Sequence, residues 1–169
     1  IMEFTLQKWS SKFIDDVAKY ANNFAIAKNL RNAFSFPYTR QDAEWYVNSC
    51  ASNDESAQCT RAIVVNGEAV GSIGFFIKDD VYCKSAEIGY WLGEPFWGKG
   101  IMSSAIAQLC SFGFENYDIV RIYADPFSYN MGSRRALEKS GFKLEGELEK
   151  SVFKNGEFYN SCMYALIKQ

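Results

Sequence analysis

The first part of the chain shows one strand-like and one helix-like pattern of apolar and polar residues. Residues 3–8 alternate apolar and polar side chains, which predicts a short first strand. After the serine pair at 10–11, apolar side chains recur at helical spacing, so these serines are expected to cap a helix. The stretch 33–38 is aromatic, broken by proline and without period. It predicts a loop.

A second helical pattern begins after Thr39. Its early turns carry Asp42 and Glu44, as the positive end of a helix dipole favours. Its aromatic residues, Trp45 and Tyr46, are expected to be buried.

Two Asn-Gly pairs, at 66–67 and 155–156, each stand between strand-like runs. Asn-Gly tolerates positive φ at both positions and is the strongest short signal of a β-hairpin. The flanking runs are 61–65 and 69–77 for the first pair, and 141–153 and 157–167 for the second. Between the hairpins, residues 85–142 follow the order strand, helix, strand, helix. No linker or repeat divides residues 1–169, which therefore predict one α+β domain with a mixed sheet.

The stretch 94–104 carries the strongest functional signal. It follows the apolar run 88–92 and opens a helix-like run. Gly98 and Gly100 leave backbone N–H groups uncovered where the helix dipole adds positive charge, and Lys99 adds a mobile full charge. A P-loop needs a different glycine–lysine spacing, and a dinucleotide loop needs a third glycine. The pattern predicts a pyrophosphate cradle, with a plain tight turn as the alternative.

Two further polar residues stand where they could do chemistry. Asn130 precedes a helix-forming stretch and is expected to cap it through the N–H of Ser133 or a neighbour, which leaves the amide NH₂ for a ligand. Glu87 lies in a predicted strand, where a carboxylate needs solvent, a cleft or a partner. It is either a rim glutamate paired with a lysine or, in a chain without histidine, a base. The arginine pair at 134–135 is expected to be solvated on the helix face, with a contact to a ligand phosphate as the alternative.

The ordered motifs resemble the GNAT superfamily of acyl-CoA-dependent N-acetyltransferases. The family's loop, Gln/Arg-x-x-Gly-x-Gly/Ala, matches the frame 95–100 at both glycines and departs at Pro95. Together with Ile-Gly-Tyr-Trp-Leu at 88–92 and Asn-x-x-Ser-x-x-x-Leu-Glu-Lys-x-Gly-Phe at 130–142, it looks like the RimJ/RimL-like branch, named for enzymes that acetylate ribosomal-protein N-termini. The similarity spans essentially the whole chain. It implies a GNAT-like α+β fold, with a central mixed and splayed sheet flanked by helices.

The resemblance also implies acetyl-CoA as co-substrate and a set of cofactor-binding residues. Backbone groups of residues 90–92 are expected to bond the pantetheine arm, and one N–H there to stabilise the oxyanion. The implied cofactor-binding residues are Tyr90, Trp91, Leu92, Trp97, Gly98, Lys99, Gly100, Ile101, Met102, Asn130 and Ser133.

Direct acetyl transfer to an amine, without an acyl-enzyme, is the implied reaction. Glu87 is the expected base, acting directly or through water. Many family members carry a tyrosine at the position of Leu137 that can protonate the departing thiolate. Leu137 cannot donate, so Ser133, one turn earlier, is expected to hydrogen-bond the sulfur. Cys83 and Cys110 are not expected to act as nucleophiles, because no histidine activates them.

The acceptor is expected to meet aromatic residues, namely Phe36, Tyr38, Phe153 and Tyr159. Such residues suit a protein N-terminus or a small-molecule amine. A catalytically silent CoA-binding sensor or interaction module is the alternative function.

Composition indicates which partners, metal sites and cellular location to expect. The net charge of −2 favours neither nucleic acid nor an anionic membrane as partner. The five cysteines lack a paired spacing and the chain has no histidine, so no metal site is expected and reduced thiols indicate a cytoplasmic protein. A monomer or homodimer is expected. Ile1 before Met2 is typical of a cloning remnant.

Overall fold

Seven strands and five helices make up the fold in a computed structural model that describes residues 2–169; Ile1 lies outside the described residues. The strands are β1 (Thr5–Gln7), β2 (Gln58–Val65), β3 (Glu68–Ile77), β4 (Ser85–Leu92), β5 (Arg121–Ala124), β6 (Lys143–Lys154) and β7 (Glu157–Ile167). The helices are α1 (Ile14–Ala21), α2 (Phe24–Ala27), α3 (Arg40–Ser52), α4 (Ile101–Asn116) and α5 (Met131–Lys139). Short 3₁₀ turns cover Ser11–Phe13, Asp80–Tyr82 and Glu94–Phe96.

The strands are hydrogen-bonded in the order β1-β2-β3-β4-β5-β7-β6. The pairs β1–β2, β5–β7 and β6–β7 are antiparallel, whereas β4 and β5 are parallel. This mixture of pairings confirms the α+β class with a mixed sheet. The parallel ladder joins residues 85–87 to 121–123, while β4 itself continues to Leu92.

The chain forms two compact units. Unit 1 comprises residues 2–74 and 90–101, and unit 2 comprises residues 75–89 and 102–169. The boundaries fall inside β3, β4 and α4. A single domain over 1–169 stays a prediction.

Local signals explain where the helices of unit 1 begin. The Ser10 hydroxyl accepts a hydrogen bond from the Lys12 N–H and so caps the 3₁₀ turn that leads into α1. The N-cap of α1 itself is Phe13, which makes no side-chain cap bond. Thr39 and Asp42 form a reciprocal capping box at the start of α3. The predicted burial of Trp45 is wrong, because its side chain is 73% exposed. Tyr46 is half-buried, and its hydroxyl lies 2.6 Å from the Ser72 hydroxyl.

Both hairpin predictions are confirmed. Asn66 and Gly67 adopt φ of 50° and 82°, and Asn155 and Gly156 adopt 52° and 80°. Positive φ at both central residues matches the twist of the flanking strands.

Each unit has its own buried core. In unit 1, α1 and α3 pack against β2 and β3 through side chains such as Val17, Val47 and Val64. In unit 2, α4 buries an apolar stripe that includes Ala105, Ile106 and Leu109. A Cβ added at Gly113 on that stripe would lie 3.0 Å from the Phe75 ring, so glycine lets the helix approach the strand closely.

Candidate functional site

The predicted cradle is a strand, a short turn and a helix start. β4 ends at Leu92, a 3₁₀ turn follows, and α4 begins at Ile101. Gly98 and Gly100 have φ of 72° and 78°, in the left-handed region that favours glycine. A Cβ added at Gly98 would meet no atom within 4 Å. The space beside Gly98 is therefore open, as a ligand that approaches the backbone requires.

Three hydrogen bonds in unit 1 hold the approach to the cradle. The Trp97 indole Nε1 donates to the Leu92 carbonyl at 2.8 Å, which ties the turn back to the end of β4. The Gly93 N–H donates to the Val70 carbonyl at 2.7 Å, and the Met2 N–H donates to the Lys99 carbonyl at 3.2 Å. The turn is thus fastened at both ends by backbone carbonyls.

The last residues of β4 were predicted to present backbone groups to a pantetheine arm. Trp91 and Leu92 are both 8% exposed, and Trp91 packs on Phe34 with ring centroids 5.9 Å apart. One lone pair of the Leu92 carbonyl is already taken by Trp97. A Cβ added at Gly71 would lie 2.5 Å from the Trp91 carbonyl, so only glycine fits there.

Met102, Asn130 and Ser133 belong to unit 2, where Asn130 caps α5. Its Oδ1 accepts from the Ser133 N–H at 3.3 Å, which confirms the predicted cap. Among the described residues, no acceptor for the Asn130 Nδ2 is found. That amide NH₂ is available to a ligand. At the other end of α5, Gly141 adopts φ of 93° and terminates the helix.

The interpretation of Arg134 as a solvated charge is wrong. Its Nε donates to the Tyr164 hydroxyl at 3.2 Å and its Nη1 to the Ser128 carbonyl at 2.9 Å. The Tyr164 hydroxyl in turn donates to Glu138 at 3.1 Å. Burial raises the pKa of Tyr164, which keeps this hydroxyl protonated at neutral pH. The network fixes α5 to β7, and sequence spacing gave no signal of it.

Glu87, the predicted base, is half-buried on β4 and is level with Tyr123 of β5. Within residues 2–169 its carboxylate forms no ion pair, so the alternative of a lysine-paired rim glutamate finds no support. Directly after β5, the Asp125 Oδ1 is buried, with no hydrogen-bond partner in the described part of the chain. Sequence reasoning did not single out Asp125, because the burial of one oxygen depends on tertiary packing. Glu87 and Asp125 thus both lie in unit 2, and neither forms an ion pair among residues 2–169.

The four aromatic residues predicted for the acceptor differ in exposure. In unit 1, Phe36 is 51% exposed and contacts Phe24, whereas Tyr38 is 8% exposed, and burial raises the pKa of Tyr38 to about 12. In unit 2, Phe153 is 62% exposed, and the Tyr159 ring packs on Tyr129 at 4.9 Å. Phe36 and Phe153 therefore offer surface to a substrate, and Tyr38 offers little. The acceptor role of all four stays a prediction.

The Cys110 thiol does not resemble an activated nucleophile. Cys110 is buried, and desolvation raises its pKa to about 12.

Across residues 2–169, no three His, Cys, Asp or Glu side chains gather as metal ligands would. None of the helices in this range combines the length and apolar character that a membrane span requires.

Comparisons with known proteins identify the family. A family model described as the acetyltransferase (GNAT) domain matches residues 3–143. The chain is similar to two proteins of Bacillus subtilis (strain 168). It is 36% identical to the uncharacterized N-acetyltransferase YoaA over 60% of the chain and 33% identical to the putative ribosomal N-acetyltransferase YdaF over 63%. The matched segments span only 56% and 58% of these relatives' lengths.

Among solved structures, the fold is similar to that of RimL, a ribosomal L7/L12 alpha-N-protein acetyltransferase in complex with coenzyme A. The TM-score is 0.86 at 23% identity, covering 98% of this chain and 94% of RimL. At this identity the likeness establishes the fold.

Proposed function

The chain belongs to the acetyltransferase (GNAT) family, in its RimJ/RimL-like branch, and we propose that it transfers the acetyl group of acetyl-CoA directly to a primary amine. The observation that carries this proposal is the cradle, residues 97–102, with two left-handed glycines at the start of a 16-residue helix. Main-chain N–H groups at a helix start and the helix dipole together favour a pyrophosphate there.

The cradle residues fit this ligand in shape and in charge. The open space beside Gly98 lets phosphate oxygens approach the backbone. The Lys99 side chain supplies a mobile positive charge, and the buried Ile101 fixes the first turn of α4. Asn130 donates its unused Nδ2 to a carbonyl or hydroxyl of the pantetheine arm. In this assignment the binding energy of the cofactor comes mainly from fixed main-chain donors.

The transfer step follows from the groups available. Glu87 takes a proton from the acceptor ammonium, directly or through water, and the freed lone pair attacks the thioester carbonyl. The new C–N bond forms as a main-chain N–H at the end of β4 stabilises the oxyanion. Collapse of the tetrahedral intermediate breaks the C–S bond and returns the pair of electrons to sulfur, while the nitrogen loses its second proton. CoA leaves as thiolate or thiol.

The leaving sulfur has no tyrosine beside it, because Leu137 stands at that position and is fully buried. We assign to Ser133, one helical turn earlier, a hydrogen bond to the sulfur. A free thiol has a pKa near 8.5, so a thiolate is a tolerable leaving group and this hydrogen bond contributes modestly.

For the acceptor, we propose the N-terminal amine of a protein or peptide ahead of a small-molecule amine. The names of YdaF and RimL refer to ribosomal acetylation, and the exposed rings of Phe36 and Phe153 suit the apolar side chains of a peptide. The unpaired carboxylates Glu87 and Asp125 favour a cationic amine before its deprotonation. The protein acts without a metal and is proposed to be cytoplasmic, as monomer or homodimer.

A CoA-binding module without catalysis is the alternative, favoured by Pro95 at the first loop position and by Leu137. Thiol release from acetyl-CoA separates the two functions. The test is incubation with a panel of peptides, polyamines and aminoglycosides, with products identified by mass spectrometry. Acetylation of a peptide α-amine above the rate without enzyme is the expected result. Binding of acetyl-CoA with no product on any amine would support the silent module.

A further inference from the structure

The Asn22-Asn23 pair between α1 and α2 makes hydrogen bonds that have no part in the proposed reaction. Asn23 has two functions at once. Its Oδ1 accepts from the Ala25 N–H at 2.9 Å, which caps α2, and its Nδ2 donates to the Glu94 carboxylate at 2.8 Å. Glu94 is 71 residues further along the chain and begins the turn that leads into the cradle.

Aromatic packing in the same unit supports this contact. The Tyr20 ring, at the end of α1, meets the Phe96 ring edge to face with centroids 5.6 Å apart. A Cβ added at Gly93 would lie 3.2 Å from Tyr20 and 3.1 Å from the Val70 carbonyl, so the turn is pressed closely against its surroundings. The turn 93–96 is thus held from one side by α1 and α2.

Because Glu94 is negatively charged, the direction in which its side chain points affects the binding of an anion. A carboxylate four residues before Gly98 would oppose the phosphates of a bound anion if it could turn toward them. The bond from Asn23 engages this carboxylate with α2, and a hydrogen bond to a charged group is stronger than one between neutral groups.

We propose that Asn23 is a positioning residue for the cofactor: it holds Glu94 and the 93–96 turn so that the cradle is ready to receive the pyrophosphate of acetyl-CoA. This inference rests on the proposed function of the cradle. The start of α2 also contacts the loop 33–38, which carries the predicted acceptor residues Phe36 and Tyr38. Phe24 packs on Phe36, and the neighbouring Asn22 Oδ1 accepts from the Tyr38 N–H at 3.0 Å. The two asparagines thus anchor two functional segments of unit 1.

The amide chemistry allows a sharp test by calorimetric titration with acetyl-CoA. Asn23→Asp keeps the oxygen that caps α2 but sets a carboxylate against Glu94. It is expected to weaken acetyl-CoA binding about threefold to tenfold, as the loss of one partly exposed charge-assisted bond implies. Asn22→Asp adds the same charge one residue away and keeps its acceptor oxygen toward Tyr38, so it is the matched control and should bind as the parent does.

The double variant Asn23→Asp/Glu94→Gln reverses donor and acceptor and is expected to restore affinity to within about twofold of the parent. Thermal unfolding of each variant is recorded, because a positioning role predicts that affinity recovers without a matching change in melting temperature. Equal weakening by Asn22→Asp and Asn23→Asp, or a double variant no tighter than Asn23→Asp, would overturn the proposal.

Failure of the positioning role of Asn23 can be distinguished from failure of the cradle assignment. If Gly98→Asp abolishes acetyl-CoA binding while Asn23→Asp leaves it unchanged, the positioning role fails and the cradle stands. If Gly98→Asp binds as the parent does, the assignment of the cradle fails, whatever Asn23→Asp does.

Discussion

Glu87 combines partial burial with the lack of an ion-pair partner in the described chain. Some carboxylates of the same unit are ion-paired, as the bidentate Arg121–Glu145 contact shows. A carboxylate kept out of such a pair on a strand that leads to the cradle is suited to accept a proton from an amine.

We expect Glu87→Gln to lower kcat at neutral pH by about one to three orders of magnitude, because the amide keeps the shape and cannot accept the proton. Affinity for acetyl-CoA should change little. Glu145→Gln removes a charge elsewhere in the same unit and serves as the control. Steady-state rates on an identified amine decide the point, and an unchanged rate and pH profile would assign the proton transfer to water or to another group.

Ser133 is tested through its hydroxyl alone, because its backbone N–H is already committed to Asn130. Ser133→Ala is expected to reduce kcat about tenfold to a hundredfold with acetyl-CoA binding preserved, whereas Ser133→Thr should retain most of the activity. Wild-type turnover of the alanine variant would leave the sulfur without a protein donor.

At the scale of elements, one indole is among the groups that hold the turn before α4. Trp97→Phe keeps an aromatic ring and removes the 2.8 Å bond to the Leu92 carbonyl. Acetyl-CoA should then bind about threefold to tenfold more weakly, because the turn is less well held. Trp45→Phe, at a 73% exposed site away from any predicted function, is the control. Calorimetry giving equal affinities for both variants would show that this bond does not support the cradle.

Elements defined by local chemistry could be predicted from sequence. The two Asn-Gly turns and the start of α3 after Thr39 depend on residues close together in the chain, and the structure confirms them. Trp45 shows where periodicity fails. Ala43 and Val47 form the buried stripe of α3, and a residue two positions from each of them points to the opposite side of the helix. The four-residue helix α2 is too short to show a period at all.

Contacts between distant segments could not be predicted. The bond from Asn23 to Glu94, the Arg134–Tyr164–Glu138 network and the buried oxygen of Asp125 all depend on tertiary packing. The family and the cradle could be predicted from the sequence, because both depend on short ordered patterns. The residues that hold the cradle in place could not be predicted from these patterns.

For the whole molecule, the family assignment and the open glycine turn support the same activity. The predicted cofactor-binding stretch 90–101 lies in unit 1, and Glu87, Asn130 and Ser133 lie in unit 2. The central claim, on which every other assignment depends, is that the cradle binds the pyrophosphate of acetyl-CoA.

Titration calorimetry of acetyl-CoA with Gly98→Asp and Gly98→Asn tests this claim most directly. Asparagine and aspartate have nearly the same size and both tolerate positive φ, so the pair isolates one negative charge at an open position. We predict low-micromolar to sub-millimolar binding by the parent, retained within about tenfold by Gly98→Asn and abolished by Gly98→Asp, with all three proteins folded. Equal affinity of the two variants, or parent-like binding by Gly98→Asp, would contradict the account.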